Sequence, residues 1–216
     1  MPAAKPLTKR QRQGEQSRAD ILDAAARLMA EHGFDGASMA ALQKESGLPA
    51  SSIYHHFSSK EGVLLAVMER GAQRFFGVVD QVRPTDGSPR DTVRAQLRAA
   101  ARAVDEDPDF LRLFILLRLS RSEDVTVTRV RAAGLERIHA LLLAAYSGCG
   151  RARARRVADR FAVVGLAMFD GAFLATQNDP SLSTERLLMD MADALTGLCD
   201  AYVEGLNVRR SSATSR

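Results

Sequence analysis

The stretch Ser46–Val67, "SGLPASSIYHHFSSKEGVLLAV", decides how the start of the chain folds. Gly47 is the expected end of one helix, because glycine accepts the left-handed backbone conformation that closes a helix. Pro49 suits the first turn of the next helix, where the N–H that proline lacks is not needed. Two helices joined by a short turn that contains glycine form a helix-turn-helix unit, which is what this stretch predicts.

The residues before this turn predict two more helical segments. Over residues 17–32, apolar side chains recur at helical spacing, and Gly33 is the expected end of that first helix. Ser38 is expected to cap the second helix, because its hydroxyl can accept a free backbone N–H. Three short helices therefore fall within residues 17–57.

The third helix, from Pro49 to about His56, has one apolar side and one polar side. Ile53 and Phe57 are expected to face inward. The outward side chains are small or carry hydroxyl groups, which would let the helix backbone approach base edges in the major groove of DNA. These outward residues are Ala50, Ser51, Ser52 and His55.

A fourth helix is expected directly after the third. Ser58 is the expected cap, and Glu61 three residues later would complete a capping box. Lys60 lies in the first turn, where free N–H groups and the positive end of the helix dipole already favour a phosphate. We therefore expect Lys60 to hold a DNA phosphate, with a solvated lysine as the alternative.

Residues 33–60 resemble the DNA-binding segment of TetR-family transcriptional regulators. The residues that carry the resemblance are Gly33-Phe34, Ala37-Ser38, Leu42-Gln43, Ser46-Gly47-Leu48, Tyr54-His55-His56-Phe57 and Lys60. The resemblance is specific over about residues 17–67, and it implies an all-α fold: an N-terminal three-helix helix-turn-helix domain and a larger C-terminal domain for ligand binding and dimerisation. The residues predicted to bind DNA are Ser38, Pro49, Ala50, Ser51, Ser52, Tyr54, His55 and Lys60.

The sequence departs from the family pattern within this segment. Pro49 stands where serine is usual, Ser51 where glycine is common, Gln43 where alanine is usual, and Ala37 in place of a threonine. Proline removes a hydroxyl that could cap the recognition helix or reach a phosphate. The DNA sequence that this chain prefers is therefore not transferable from a relative.

The histidine pair does not favour a metal or catalytic site. Tyr54 and His55 match family positions that touch DNA, and His56 matches an aromatic position that packs near the edge of the domain. The remaining histidines, His32 and His139, have no cluster of cysteines or histidines around them. Neither a nucleophile–base pair nor a phosphate loop is visible, so we expect no enzyme, metal or cofactor.

Composition narrows the remaining classes of protein. The chain has 216 residues and a net charge of +4, which permits an anionic partner without requiring one. Cys149 and Cys199 are too few for a disulfide framework, and we expect reduced thiols that pack in a cytoplasmic protein, with redox activity left open. No segment resembles a signal peptide, and no apolar run is long enough to cross a membrane.

Four segments are predicted along the chain. Residues 1–16 form a basic disordered arm that is either a solubilising tail or a further phosphate contact. Residues 17–63 form the DNA-binding domain, and residues 64–208 form the regulatory and dimerisation domain. A disordered tail follows at residues 209–216.

The C-terminal domain is expected to be helical throughout, with helices at about 90–105, 109–121, 124–147, 151–178 and 183–205. The helix at 151–178 becomes apolar on nearly all sides, so it must be covered on all sides. A two-fold dimer would cover it by pairing the last two helices of each chain, although the same apolar stripes could belong to a monomer core. The family resemblance implies the same dimer.

The family resemblance also implies a ligand pocket within the C-terminal helices. A small, largely apolar effector would favour a state that releases DNA. The chain is thus expected to be a repressor that binds a palindromic operator as a dimer; the alternative is a helical interaction module or enzyme that retains a helix-turn-helix scaffold. The predicted pocket residues, which could equally be ordinary core, are Phe110, Phe114, Leu117, His139, Met168, Phe169 and Phe173.

Overall fold

The structure, a computed structural model, describes residues 8–83 and 87–214, with side chains as far as residue 206. All regular secondary structure in these ranges is helical, which confirms the predicted all-α fold. A single turn of 3-10 helix, Ser147–Cys149, precedes the eighth α-helix. The α-helices of the described ranges are α1 (Lys9–Gly36), α2 (Met39–Ser46), α3 (Ala50–Phe57), α4 (Lys60–Val79), α5 (Pro89–Glu106), α6 (Pro108–Ser120), α7 (Val125–Ala145), α8 (Arg151–Asn178) and α9 (Thr184–Thr214).

The first helix begins earlier than the sequence predicts. Residues 9–16, expected to belong to a disordered arm, form the first two turns of α1, while residues 1–7 lie outside the described part of the chain. Thr8 and Gln11 explain the difference. The Thr8 hydroxyl accepts from the Gln11 N–H, and the Gln11 side-chain oxygen accepts from the Thr8 N–H at 2.9 Å. This capping box satisfies two N–H groups that would otherwise lack partners.

The end of α1 and the end of the chain also differ in part from the expectation. Gly33 interrupts α1 with φ 70 and ψ 171, a conformation that favours glycine, and this confirms Gly33 as the end of the regular helix. At the other terminus, α9 stays helical to Thr214, through most of the segment expected to be a disordered tail. Residues 215 and 216 lie outside the described part.

The first compact unit combines Met1–Gln73 with Pro108–Val127. Within it, α1 packs against α6 and α2, and α3 packs against α1 and α2. The predicted domain boundary after residue 63 would instead place α6 in the C-terminal domain. That DNA binding belongs to the residues before this boundary, and regulation and dimerisation to those after it, stays a prediction. The fully buried side chains at the centre of this unit are Ile21, Leu22, Met29, Ile53, Val63, Met68, Leu113 and Leu117.

The second compact unit combines Arg74–Asp107 with Thr128–Arg216. Within it, α9 packs against both α5 and α8. Gly165 permits close packing, because a Cβ there would lie 3.1 Å from Ile138 and 3.2 Å from Leu195. Two arginines of α5, Arg90 and Arg94, bind the carboxylate of Asp193 on α9.

A small polar network lies in the core of the second unit. The Tyr146 hydroxyl is 2.8 Å from Oδ1 of Asp200 and 3.1 Å from the carbonyl oxygen of Thr196, and it donates to these acceptors. Burial, followed by the hydrogen bond with Asp200, raises the pKa of Tyr146 above its usual range. Burial also raises the pKa of the Cys199 thiol to about 12. Cys199 is therefore a protonated, buried thiol at neutral pH, which supports a packing role.

At the edge of the first unit, His56 is half-buried near the end of α3. Its ring lies 5.4 Å from that of His55 and 6.0 Å from that of Phe57, and the Arg18 guanidinium lies 5.2 Å from the Phe57 ring. Burial lowers the pKa of His56 below its ordinary 6.5, and the nearby charges of His55 and Arg18 lower it further. The folded chain therefore favours the neutral imidazole.

We expect this preference to make the chain less stable in mild acid. The unfolded chain takes up a proton on His56 at a higher pH than the folded chain, so the stabilisation is complete above pH 6.5 and is lost as the pH falls through the lowered pKa. Urea denaturation at about pH 7 and about pH 5.5, a window above most carboxyl pKa values, measures the effect. The His56→Gln variant should lose less stability over this window than the parent; an equal loss in both proteins would refute this role.

Close packing of α4 on α6 gives a second test. A Cβ at Gly71 would lie 2.6 Å from Cγ and 2.9 Å from Cβ of Phe110, which is itself buried. We expect Gly71→Ala to lower the free energy of unfolding by about 1–3 kcal/mol through overpacking. Gly77→Ala in the same helix is the control, because a Cβ there meets no atom within 4 Å. The control should gain about 0.5–1 kcal/mol in denaturant unfolding, and an equal gain at Gly71 would contradict the packing argument.

Candidate DNA-binding site

The turn between α2 and α3 has the predicted helix-turn-helix geometry. Gly47 has φ 68 and ψ 11, the left-handed conformation expected at the end of α2. Ser38 caps the start of α2, where its hydroxyl oxygen accepts from the Ala41 N–H at 3.0 Å. Pro49 occupies the cap position of α3, one residue before the helical turn in which the sequence places it, and its carbonyl accepts from the Ser52 N–H at 2.9 Å. Both helices are thus fixed by local backbone chemistry.

Two apolar residues hold α3 in place. Ile53 is fully buried and Phe57 nearly so, and Leu42 of α2 is buried as well. This agrees with the inward side that the sequence predicts. Leu48, in the turn, is half-buried.

The other side of α3 is open to solvent. Tyr54 is 50% exposed. Ala50 and Ser52 are half-buried, because they lie at the margins of this face. The remaining predicted contact residues of this region, Ser38, Pro49, Ser51 and His55, are exposed.

The start of α4 corrects one sequence expectation. The predicted capping box of Ser58 and Glu61 is wrong, because Ser58 ends α3 with a positive φ of 62 and donates its N–H to the Tyr54 carbonyl at 3.0 Å. Ser59 takes over the cap, and its hydroxyl oxygen accepts from the Gly62 N–H at 3.0 Å. Ser58 closes α3, so the next residue, Ser59, caps the start of α4.

Lys60 has partners within the chain. Its ammonium donates to the Asp35 carbonyl oxygen at 3.4 Å and lies 4.4 Å from the centre of the Phe34 ring. Arg121 approaches the same two residues, with its guanidinium 4.1 Å from the Phe34 ring and 3.2 Å from the Asp35 carboxylate. An ammonium has three N–H donors, so the bond to Asp35 leaves donors that a phosphate could accept.

The predicted ligand-pocket residues are divided between the two compact units. In the first unit, Phe110, Phe114 and Leu117 are buried, and the two phenylalanine rings stack at 6.3 Å. In the second unit, Phe173 is buried. Met168 and Phe169 of that unit are half-buried against its core.

His139 of the second unit lies on its surface. Its Nε2 is 2.7 Å from Oδ1 of Asp159, and this pair joins α7 to α8. The imidazole ring of His139 is therefore paired with a carboxylate on the neighbouring helix.

Sequence reasoning missed one surface feature next to α3. A shallow depression opens between α2 and the start of α3. Its residues from Ala40 on α2 to Gly47 directly after it follow the spacing i, i+3, i+4 and i+7, which places them on one side of the helix. This spacing could have revealed the feature from sequence. The lining residues are Ala40, Gln43, Lys44, Gly47, Leu48 and Pro49.

Neither a metal cluster nor a membrane span is found in the described ranges. No three side chains of histidine, cysteine, aspartate or glutamate there are placed to hold a metal ion. None of the helices in these ranges is both long enough and apolar enough to cross a bilayer.

Known proteins show similarity at two scales. Residues 21–67, which contain the helix-turn-helix, match the family model of bacterial regulatory proteins of the tetR family. Over 65 residues the chain is 40% identical to the HTH-type transcriptional repressor AcnR of Corynebacterium glutamicum, a match that covers 30% of this chain and 35% of AcnR. The match thus spans only about a third of the length of that relative.

Similarity beyond the helix-turn-helix is weaker but longer. The chain is 26% identical over 162 residues to the HTH-type transcriptional regulator BetI of Burkholderia mallei, covering 73% of this chain and 80% of BetI. A transcriptional regulator from Rhodococcus sp. Rha1 shares the fold with a TM-score of 0.66 at 21% identity, over 84% of this chain and 95% of that one. The helix-turn-helix segment is thus similar in sequence to the tetR family of bacterial regulatory proteins, and over most of the chain the similarity to solved structures is one of fold.

Proposed function

We propose that this chain is a sequence-specific DNA-binding transcriptional regulator, a repressor that binds a palindromic operator as a dimer and is released by a small apolar effector. The observation that carries the proposal is the open side of α3. Its buried side is fixed by Ile53, and its open side presents small and hydroxyl groups together with Tyr54 and His55. A helix held in this way can enter the major groove with its backbone close to the bases.

The charges around α3 support a DNA partner. Lys44 is exposed beside the start of α3, and the first turns of α1 expose Lys9, Arg10 and Arg12. The acidic Glu45 follows Lys44 in α2, but its carboxylate is 3.1 Å from the Arg27 guanidinium, which offsets its charge. Cations that neutralise phosphates gain affinity through the release of counterions.

Exposed apolar residues on α8 and α9 support a dimer. Val163 is 52% exposed and Leu198 is 49% exposed, although the sequence predicts that apolar residues of these helices are covered. Ala167 and Gly171 are exposed on α8 as well, and such small residues permit close approach of a second helix. A symmetric partner would cover these residues, and the dimer would present two recognition helices to half-sites about 34–36 Å apart.

A small apolar effector completes the proposal. In the first unit the candidate contacts are the buried residues Phe110, Phe114 and Leu117. In the second unit they are the buried Phe173, with Met168 and Phe169 at the margin of its core and His139 as a polar group. An effector that prefers the state unable to bind DNA would release the operator by shifting the population of states. A regulator of this kind works at the chromosome, so the proposal implies a cytoplasmic location.

The first test is selection of duplexes from a random library at about 150 mM salt, where non-specific phosphate binding is weak. We expect an inverted repeat.

Ser52→Glu should bind the selected duplex at least about tenfold more weakly, because it places a carboxylate against phosphates and base edges. Tyr54→Ala should cost about tenfold through a lost phosphate contact. Tyr54 is exposed and Ser52 lies at the margin of the open face, so neither variant removes a core contact and the melting temperatures should stay close to that of the parent.

Ser122→Glu is the matched control, because this exposed serine lies outside the helix-turn-helix. It should bind the duplex like the parent. Equal losses for Ser52→Glu and Ser122→Glu would show that net charge, rather than the open side of α3, determines affinity. Failure of the folded protein to enrich any duplex would refute the proposal that it reads DNA by itself.

The effector is tested by reciprocity. Small apolar compounds that release the labelled operator in fluorescence anisotropy would be titrated into the protein with and without unlabelled operator. We expect the operator to weaken compound binding by the same factor, typically about 5- to 150-fold, by which the compound weakens operator binding. A compound whose affinity is unchanged by saturating operator would contradict the coupled mechanism.

A further inference from the structure

The depression between α2 and α3 contains an unused hydrogen-bonding side chain. Gln43 and Lys44 are exposed on the side of α2 that faces the depression, and Gly47 and Pro49 complete its border. Within the described ranges, the side-chain amide of Gln43 makes no hydrogen bond, whereas Glu45 is bound to Arg27. Two positions separate Gln43 from Glu45, and that spacing places them on different sides of a helix.

The two residues at the very start of the recognition helix lack hydrogen-bonding side chains. Pro49 is the cap and Ala50 is the first helical residue, and neither side chain carries a donor or an acceptor, so the first hydroxyl belongs to Ser51. In a helix-turn-helix the first residues of the recognition helix meet base edges, while the preceding helix crosses the DNA backbone. Beside Pro49 and Ala50, a polar side-chain contact to a base therefore comes from a neighbouring element.

Gln43 is the neighbouring side chain with the length and chemistry to supply that contact. Ala40 on α2 has a small side chain and Gly47, directly after α2, has none, so the space between α2 and the start of α3 stays open. A glutamine amide can bind adenine through N6 and N7 with two hydrogen bonds, and it is uncharged, so it does not lose affinity to phosphate repulsion. Lys44, one residue further along, provides a charge for the backbone that α2 crosses.

We propose that Gln43 is a specificity-determining residue that reads one base of each half-site from α2, while Lys44 binds the adjacent phosphate. The inference rests on the proposed DNA-binding function. It assigns sequence reading to a helix outside the recognition helix, at a position where the family pattern usually has alanine.

The test compares the full-length parent with Gln43→Ala, Gln43→Glu and Lys44→Ala in the duplex selection described above. The parent should prefer adenine at one position of each half-site by about 5- to 150-fold, the discrimination of a bidentate pair. Gln43→Ala should lose this preference and keep the preferences at all other positions. Gln43→Glu should shift the preference toward cytosine, because a carboxylate accepts from cytosine N4.

Lys44→Ala should keep the selected motif and bind it more weakly. Its plot of log affinity against log salt should be shallower by about 0.9 for each lysine removed. Glu45→Gln is the matched control on another side of α2, and it should retain both the motif and the slope. Circular dichroism and melting temperatures establish that each variant is folded.

The two proposals fail in different ways. If the parent enriches an inverted repeat and both Gln43 variants enrich the same repeat with the same preference at each position, the inference is wrong and the DNA-binding function stands. If the folded parent enriches no duplex, the DNA-binding function fails, and the role of Gln43 fails with it.

Discussion

The left-handed backbone at Gly47 is the constraint on which the rest of the helix-turn-helix unit depends. This one residue turns the chain between α2 and α3, so that Ile53 and Phe57 can be buried while Tyr54 and His55 stay outside. A residue with a Cβ would strain the turn. The angle between the two helices is therefore set by the backbone before any side chain contacts a partner, and the open side of α3 follows from that angle.

Local signals made this part of the fold predictable. The cap at Ser38 and the end of α2 at Gly47 follow from the chemistry of single residues, and the inward side of α3 follows from helical spacing. The start of α4 was harder to predict, because two adjacent serines could each serve as its N-cap. Ser58 and Ser59 can both cap, and the choice depends on which of them adopts a positive φ to close α3. A sequence pattern does not contain that backbone angle.

Longer-range features were not predictable in the same way. The packing of α6 on α1 joins segments separated by a long stretch of chain, and apolar periodicity shows that a helix has a buried side without showing what covers it. The same limit applies to α8, where Gly165 packs inside the second unit while Val163 is open. Both residues belong to one apolar run in the sequence. Only the arrangement of the neighbouring helices determines which residues of this run form the core and which stay exposed.

The membership of α6 in the first unit has a consequence for how the protein is made. The Phe34 ring and the Asp35 carboxylate are held by Arg121, a residue that leaves the ribosome long after the helix-turn-helix itself. A nascent chain that ends near residue 73 has α1, α2 and α3 but lacks α6, which packs on α1. The helix-turn-helix therefore reaches its complete packing only after α5, α6 and Arg121 have been synthesised.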